Sequence, residues 1–195
     1  MNLAIVQYNA GNIQSVLFAL ERLGVQATVT DDTAALRAAD KVIFPGVGEA
    51  RSAMESLQQQ GLDVVIKSLQ QPVLGICVGM QLLFEHSEES DTTCLGIIPA
   101  KVRRFAAGNN LKVPQIGWNT ITHLRTDLFA GVPENSFVYY VHSYYAEMNE
   151  WCIASTEYGI TYCSAVQKDN FYGLQFHTEK SAQTGDRILK NFLDL

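Results

Sequence analysis

The sequence predicts an α/β fold: an open, mixed and mostly parallel sheet flanked by helices. Three observations carry this. Through the first half, short apolar and β-branched runs alternate with stretches of helical periodicity, the pattern of βαβ units and a parallel sheet. After about residue 95 the texture changes to short strand-like runs with brief turns, several of them expected to be antiparallel. The 195 residues, 47% hydrophobic, suit one domain, 1–195, around one sizeable core. No linker, repeat or low-complexity tract divides the chain, so the second half reads as an extension of the same sheet.

Residues 2–8 are apolar and β-branched and form the first strand. Gly11 and Asn12 open a helix, with Asn12 as its cap. Ile13, Val16, Leu17, Leu20 and Leu23 recur at helical spacing, and Gly24 ends the run. Residues 25–30 form a second strand, and Asp31, Asp32 and Thr33 cap a short helix through Ala39. A third strand, 41–44, runs into Pro45-Gly46-Val47-Gly48. Helical stretches follow around 50–59 and 61–69, then a fourth strand, 73–76, and a helical segment, 78–86. In the second half 100–105, 119–123, 137–147, 151–157, 161–167 and 172–176 read as strands. Residues 181–193 form a closing helix with Ile188, Leu189 and Phe192 facing in and Asp186 and Arg187 on the wet side.

The net charge of −6 and the lack of a basic stripe argue against a nucleic-acid partner. No apolar run is long enough to span a bilayer, and residues 1–6 already read as strand rather than secretory leader. A cytoplasmic protein away from membranes is the expectation. Cys77, Cys94, Cys152 and Cys163 are scattered, with no CxxC pair, so neither a metal site nor a disulfide framework is expected. Cys94, Cys152 and Cys163 read as small buried residues.

Cys77 stands apart. In Val73-Leu74-Gly75-Ile76-Cys77-Val78-Gly79-Met80 an apolar run ends on a cysteine flanked by glycines two residues either side. This is the nucleophile-elbow pattern with Cys in place of Ser. A helix N-terminus directly after it favours thiolate over thiol, and a cysteine so placed is built to attack a carbonyl.

A thiol of pKa ~8.5 needs a proton acceptor near neutral pH. Of His86, His123, His142 and His177, the last follows the strand Tyr172-Gly173-Leu174-Gln175-Phe176 and so lies at a strand end, where reactive groups of open α/β sheets collect. Glu179 stands two residues on; in an extended segment it would face the same way and hold the far ring nitrogen. Cys77, His177 and Glu179 thus form a triad by role. The glycines of Pro45-Gly46-Val47-Gly48 suit either an ordinary strand-to-helix turn or a backbone that offers amides to an oxyanion; beside an elbow the second reading prevails, with the Val78 amide as a further donor. Gly46 and Gly48 also allow a peptide to reorient, so the oxyanion site is expected to form only on demand.

Gly75-Ile76-Cys77-Val78-Gly79-Met80-Gln81 with His177-Thr178-Glu179 resembles the class I (triad) glutamine amidotransferases. Within them Pro45-Gly46-Val47-Gly48, Pro114-Gln115-Ile116-Gly117-Trp118-Asn119, Val141-His142-Ser143-Tyr144 and Gly173-Leu174-Gln175-Phe176-His177 are similar to the glutaminase subunits of imidazole glycerol phosphate synthase, over nearly the whole chain. The resemblance implies a flavodoxin-like fold and glutamine as substrate. It also implies no cofactor, and a heterodimer with a (β/α)8-barrel cyclase that receives the ammonia, in histidine biosynthesis. Gln81 and Glu85, four apart on the helix expected after the elbow, would share a face and hold the α-ammonium, unless that face is merely solvated. Ser143 and Tyr144 match the segment that meets the α-carboxylate, although Tyr144 suits a core aromatic equally. His142 beside them is expected to brace the loop; His86 and His123 are expected on the surface. Trp118 and Asn119 suit a partner interface, with a core tryptophan as the alternative, and Tyr139 and Lys180 match positions near the subunit boundary. Thr178 departs from the proline usual between the His and the Glu, which leaves the rigidity of that segment open. Rival readings are an amidotransferase subunit of another synthase, a cysteine hydrolase of the same fold, and an inactive binding subunit, the last opposed by the complete triad.

Overall fold

The computed structural model describes residues 1–9, 12–106 and 111–195. β1 (Leu3–Val6), β2 (Ala27–Thr30), β3 (Lys41–Gly46) and β4 (Val73–Cys77) are parallel and lie in the order β2-β1-β3-β4. Buried along their whole length, β1, β3 and β4 show continuous apolar runs without alternation. β3 runs two residues beyond the predicted end and takes in Pro45 and Gly46. The crossovers carry α1 (Ile13–Arg22), α2 (Thr33–Ala38), α3 (Ala50–Gln59) and α4 (Leu62–Ser68). Asp32 caps α2, accepting from the Ala35 N–H at 2.7 Å. Asn12 does not cap α1: its φ is 72°, and its side-chain amide donates to Glu179 instead. The predicted opening at Gly11 lies outside the described residues.

After β4 the predicted helix over 78–86 is a single turn, α5 (Val78–Gln81). Residues 84–87 form β5 (Phe84–Ser87), which pairs with β6 (Thr92–Thr93) and, in parallel, with β7 (Ile98–Arg104). That distant ladder draws the chain out of the helix. β8 (Gln115–Ile121) and β9 (Ser136–His142) form a separate antiparallel pair, where a plain extension of the main sheet was expected. Val138 and Tyr140 on its inner side are buried, whereas Ile116, Trp118, Phe137 and Val141 are exposed.

β10 (Tyr144–Ala146), β11 (Cys152–Glu157), β12 (Thr161–Lys168) and β13 (Phe171–Leu174) complete the main sheet, ordered β2-β1-β3-β4-β13-β12-β10-β7-β5-β6 with β11 on β12. β13 returns parallel to β4, with Leu174 opposite Ile76. α6 (Ala182–Asp194) closes the chain and buries Ile188, Leu189 and Phe192 as predicted. Among the described residues no helix is long and apolar enough to cross a membrane.

Candidate active site

Cys77 ends β4 with φ 54° and ψ −112°, a conformation costly for any residue with a Cβ. Backbone packing imposes it. A Cβ on Gly79 would lie 1.9 Å from the Phe44 carbonyl oxygen, and one on Gly75 2.8 Å from that of Gly79. The flanking glycines let α5 press against β3 and β4 until only one path remains for the residue between them. Gly46, expected among the oxyanion donors, is buried beneath this turn, where a Cβ would meet the Gly79 amide nitrogen at 2.5 Å. It makes room for the elbow; the cleft above is walled by Val47, Gly48 and Val78.

That cleft has a volume of about 340 Å³. Cys77 is only 4% exposed, yet it lines the floor, its Sγ 3.9 Å from the Val141 carbonyl and 4.0 Å from Gln175 Nε2. His177 reaches the same cleft because β13 lies parallel to β4 in register, so that Gln175 to His177 pass over the C-terminal edge beside Cys77. His177 directly precedes a 3-10 turn, Thr178–Lys180, that contains Glu179, not the extended segment expected, and the turn forms with Thr178 in place. It still brings the side chains together: His177 Nδ1–H donates to Glu179 Oε1 at 2.7 Å, with 4% and 1% of the two side chains exposed. Burial pulls the His177 pKa down, but hydrogen bonding and charge from Cys77 and Glu179 outweigh it and raise the value to about 10.

Glu85 does not share a helix face with Gln81. It lies on β5, exposed, outside the cleft wall. The carboxylate in the wall is Glu89, fixed by the Ala50 N–H at 2.8 Å. Sequence reasoning missed it, since it sits in the polar turn Ser87-Glu88-Glu89-Ser90-Asp91 with no periodicity to orient it. Gln81 does line the cleft; its Nε2 donates at 2.9 Å to both Tyr144 O and Gln175 Oε1. Ser143 and Tyr144 form the opposite wall. His142 braces this loop as expected: Nδ1–H donates to Tyr144 O at 2.7 Å, and Nε2 lies 3.3 Å from the Tyr162 hydroxyl. Burial, opposed by that carbonyl and aided by the charge of His177, lowers its pKa to about 4, so the ring is neutral at pH 7.

Of the expected boundary residues, Trp118 is 52% exposed on the outer face of β8–β9, so the core alternative falls. Tyr139 stacks edge-on against it at 5.8 Å. Asn119 points to the other side of the strand, where its amide donates to the Glu157 carbonyl at 2.9 Å. Lys180 is exposed at the rim of the cleft.

A family model for class-I glutamine amidotransferases matches residues 4–195. The chain is 55% identical over 196 residues to the imidazole glycerol phosphate synthase subunit HisH of Bacteroides fragilis, covering all of both chains. It is 53% identical to the protein of that name from Bacteroides thetaiotaomicron, again over the whole of both chains. The one from Idiomarina loihiensis is 46% identical, over all of this chain and 98% of its own. Among solved structures, a glutamine amidotransferase superposes with a TM-score of 0.74 at 17% identity, covering all of this chain and 98% of the other. The PurLQS structure from Thermotoga maritima gives 0.73 at 16% identity over 99% and 97% of the two chains. These two likenesses concern the fold.

Proposed function

The chain belongs to the class-I glutamine amidotransferase family, and on that premise we propose that it is the glutaminase subunit of an imidazole glycerol phosphate synthase. Cys77 attacks the side-chain amide carbon of glutamine as a thiolate. The charge that develops on the oxygen meets the Val78 amide and, once its peptide turns inward, an amide of the Val47–Gly48 segment. His177 carries a proton at rest, held by Glu179, and delivers it to the departing ammonia. The neutral ring then takes a proton from water, whose attack on the thioester releases glutamate and expels the thiolate, which restores the resting pair of thiolate and imidazolium. Glu89 and the Gln81 side-chain oxygen receive the α-ammonium of the substrate; Ser143 and Tyr144 receive its α-carboxylate.

The single observation that carries this reading is the 2.7 Å bond between His177 and Glu179 at the rim of a cleft whose floor is a strained cysteine. The partner is a cyclase with a (β/α)8 barrel, which takes the ammonia without release to solvent. It yields imidazole glycerol phosphate and an aminoimidazole carboxamide ribotide. The docking face we assign is the outer side of β8–β9, where Ile116, Trp118, Phe137 and Val141 are 63%, 52%, 60% and 37% exposed. Lys180 stands beside it at the cleft mouth. Four free cysteines suit a reducing cytoplasm.

Glutamate release is to be measured with the chain alone and with the cyclase and its nucleotide ligand. Low basal activity and strong stimulation are expected. Equal rates in both conditions would point to a self-sufficient cysteine hydrolase, and stimulation by a different synthase would reassign the partner.

A further inference from the structure

We infer that Ser181 is a positioning residue for the base, its hydroxyl fastening the main chain of His177 to strand β9. Ser181 occupies the position directly before α6, where a serine ordinarily accepts from an amide of the first helical turn. It makes no such bond, with φ −99° and ψ 23°. Its Oγ–H donates instead to the His177 carbonyl at 2.6 Å, and its oxygen accepts from the Tyr139 N–H at 3.0 Å. The His177 N–H in turn donates to the Tyr139 carbonyl at 2.9 Å. These three bonds close a ring through the base, the helix start and the middle of β9.

The chemistry of the ring admits few side chains. A carbonyl only accepts and an amide N–H only donates, so the group between them must do both. Ser181 is 1% exposed, and no bulk water stands ready to replace a missing hydroxyl. A second contact pins the same turn. Gly185, one helical turn on, lies so close beneath it that a Cβ would come 1.9 Å from the Thr178 carbonyl and 2.9 Å from the Ser181 Cβ. The Gly185 N–H also donates to the Ser181 carbonyl at 3.0 Å. The turn bearing His177 is therefore held from below by α6 and from the side by β9, and the hydroxyl is a link between those supports that a single substitution can remove.

The inference rests on the proposed role of His177, and the test separates the two. Ser181→Ala, Ser181→Thr and Asp32→Ala are compared in the full chain, the last removing an ordinary helix cap far from the cleft. Two properties are read: kcat and KM for glutamine with the cyclase bound, and the pH profile of Cys77 alkylation by iodoacetamide, with Cys77→Ser as background. Ser181→Ala is expected to lower kcat by about tenfold to about a hundredfold with KM little changed, the penalty of a base displaced by under an ångström. Its alkylation profile is expected to move to higher pH. Ser181→Thr, which keeps the donor and acceptor, should restore both; Asp32→Ala should lower the melting temperature and move neither. A wild-type kcat and profile in Ser181→Ala would overturn the inference, as would equal damage in the alanine and threonine variants. If the wild-type chain releases no glutamate with any cyclase, the functional reading fails, and the alkylation profile alone still decides whether Ser181 sets the imidazole against the thiol.

Discussion

The elbow beneath the cleft and the loop that walls it use glycine for opposite ends. On the elbow side, Gly46, Gly75 and Gly79 are packed so closely that a Cβ on any of them would strike backbone, at 2.5, 2.8 and 1.9 Å. Two residues beyond Gly46, in the loop after β3, Gly48 has φ 102° and nothing within 4 Å of where a Cβ would stand, and it is exposed. The elbow cannot move without unmaking the sheet edge. The loop leaves open space beside a peptide whose glycine permits another orientation. On the proposed reading the nucleophile is fixed before substrate arrives and one oxyanion donor is conditional, which suits an enzyme whose activity waits for its partner.

The largest effect tests the fixed elbow directly. Cys77→Gly should reduce glutamate release by about 10⁶-fold, the scale of losing a nucleophile. It should leave the urea midpoint within about 1 kcal/mol of wild type, since relief of backbone strain offsets the lost side chain. A large loss of stability would mean that the cysteine side chain, not the glycine packing, holds the elbow. Next, Glu179→Gln should lower kcat by about 10³–10⁴-fold with KM little changed, because the amide no longer stabilises imidazolium; stopped assays with the cyclase present would measure it.

The sharpest contrast comes from the same substitution in elbow and loop. Gly79→Ala should cost about 3 kcal/mol or more in urea denaturation, since its new methyl meets the Phe44 carbonyl and neither backbone can yield. Gly48→Ala meets no neighbouring atom and should cost about 1–2 kcal/mol, from backbone strain at φ 102° alone, yet reduce the cyclase-stimulated rate by about 10²-fold, the worth of one oxyanion donor. If the two variants exchange these outcomes, the distinction between a packed elbow and an open loop is wrong.

The smallest effect concerns two histidines with opposite shifts. His142 is lowered to about 4, so below its unfolded pKa the unfolded chain takes a proton that the folded one refuses. Stability should therefore fall as pH drops from about 6.5 towards 4. His177 is raised to about 10, so its contribution is complete below about pH 6.5 and lost as pH rises towards 10. Urea midpoints against pH should show both limbs, with His142→Gln flattening the acid one and His177→Gln the alkaline one.

Much of the site was legible because its signals are local. The Gly75-x-Cys77-x-Gly79 spacing carries the elbow, and the run of strand residues before His177 places it at a sheet edge. The carboxylate in the wall was not legible. Val78, Leu82 and Leu83 extend a helical pattern past Gln81, and on that pattern Glu85 belongs beside it. The chain leaves the helix after one turn because Phe84–Ser87 pairs with β7, a partner that no local rule reveals, and the following turn brings Glu89 to the cleft. Trp118 shows the same limit, since its alternation fits a buried strand as well as an exposed one until β8–β9 is seen to stand apart from the main sheet. Ser181 reads as the first residue of the closing helix, whereas in the fold it precedes α6 and its hydroxyl bonds the His177 carbonyl.

By itself the sequence determined the α/β order, the cysteine at an elbow, and the pairing of a strand-end histidine with a carboxylate two residues on. The first two follow from steric limits on single residues and from the short periods of helix and strand; the third follows from closeness in sequence, since a 3-10 turn and not an extended segment brings the two side chains together. Only the tertiary structure decided which carboxylate walls the cleft, which serine bonds the main chain of His177 and which glycines are packed and which are open. Each of those turns on an approach of a few ångströms between segments far apart in the chain, and pairing, not propensity, sets such distances.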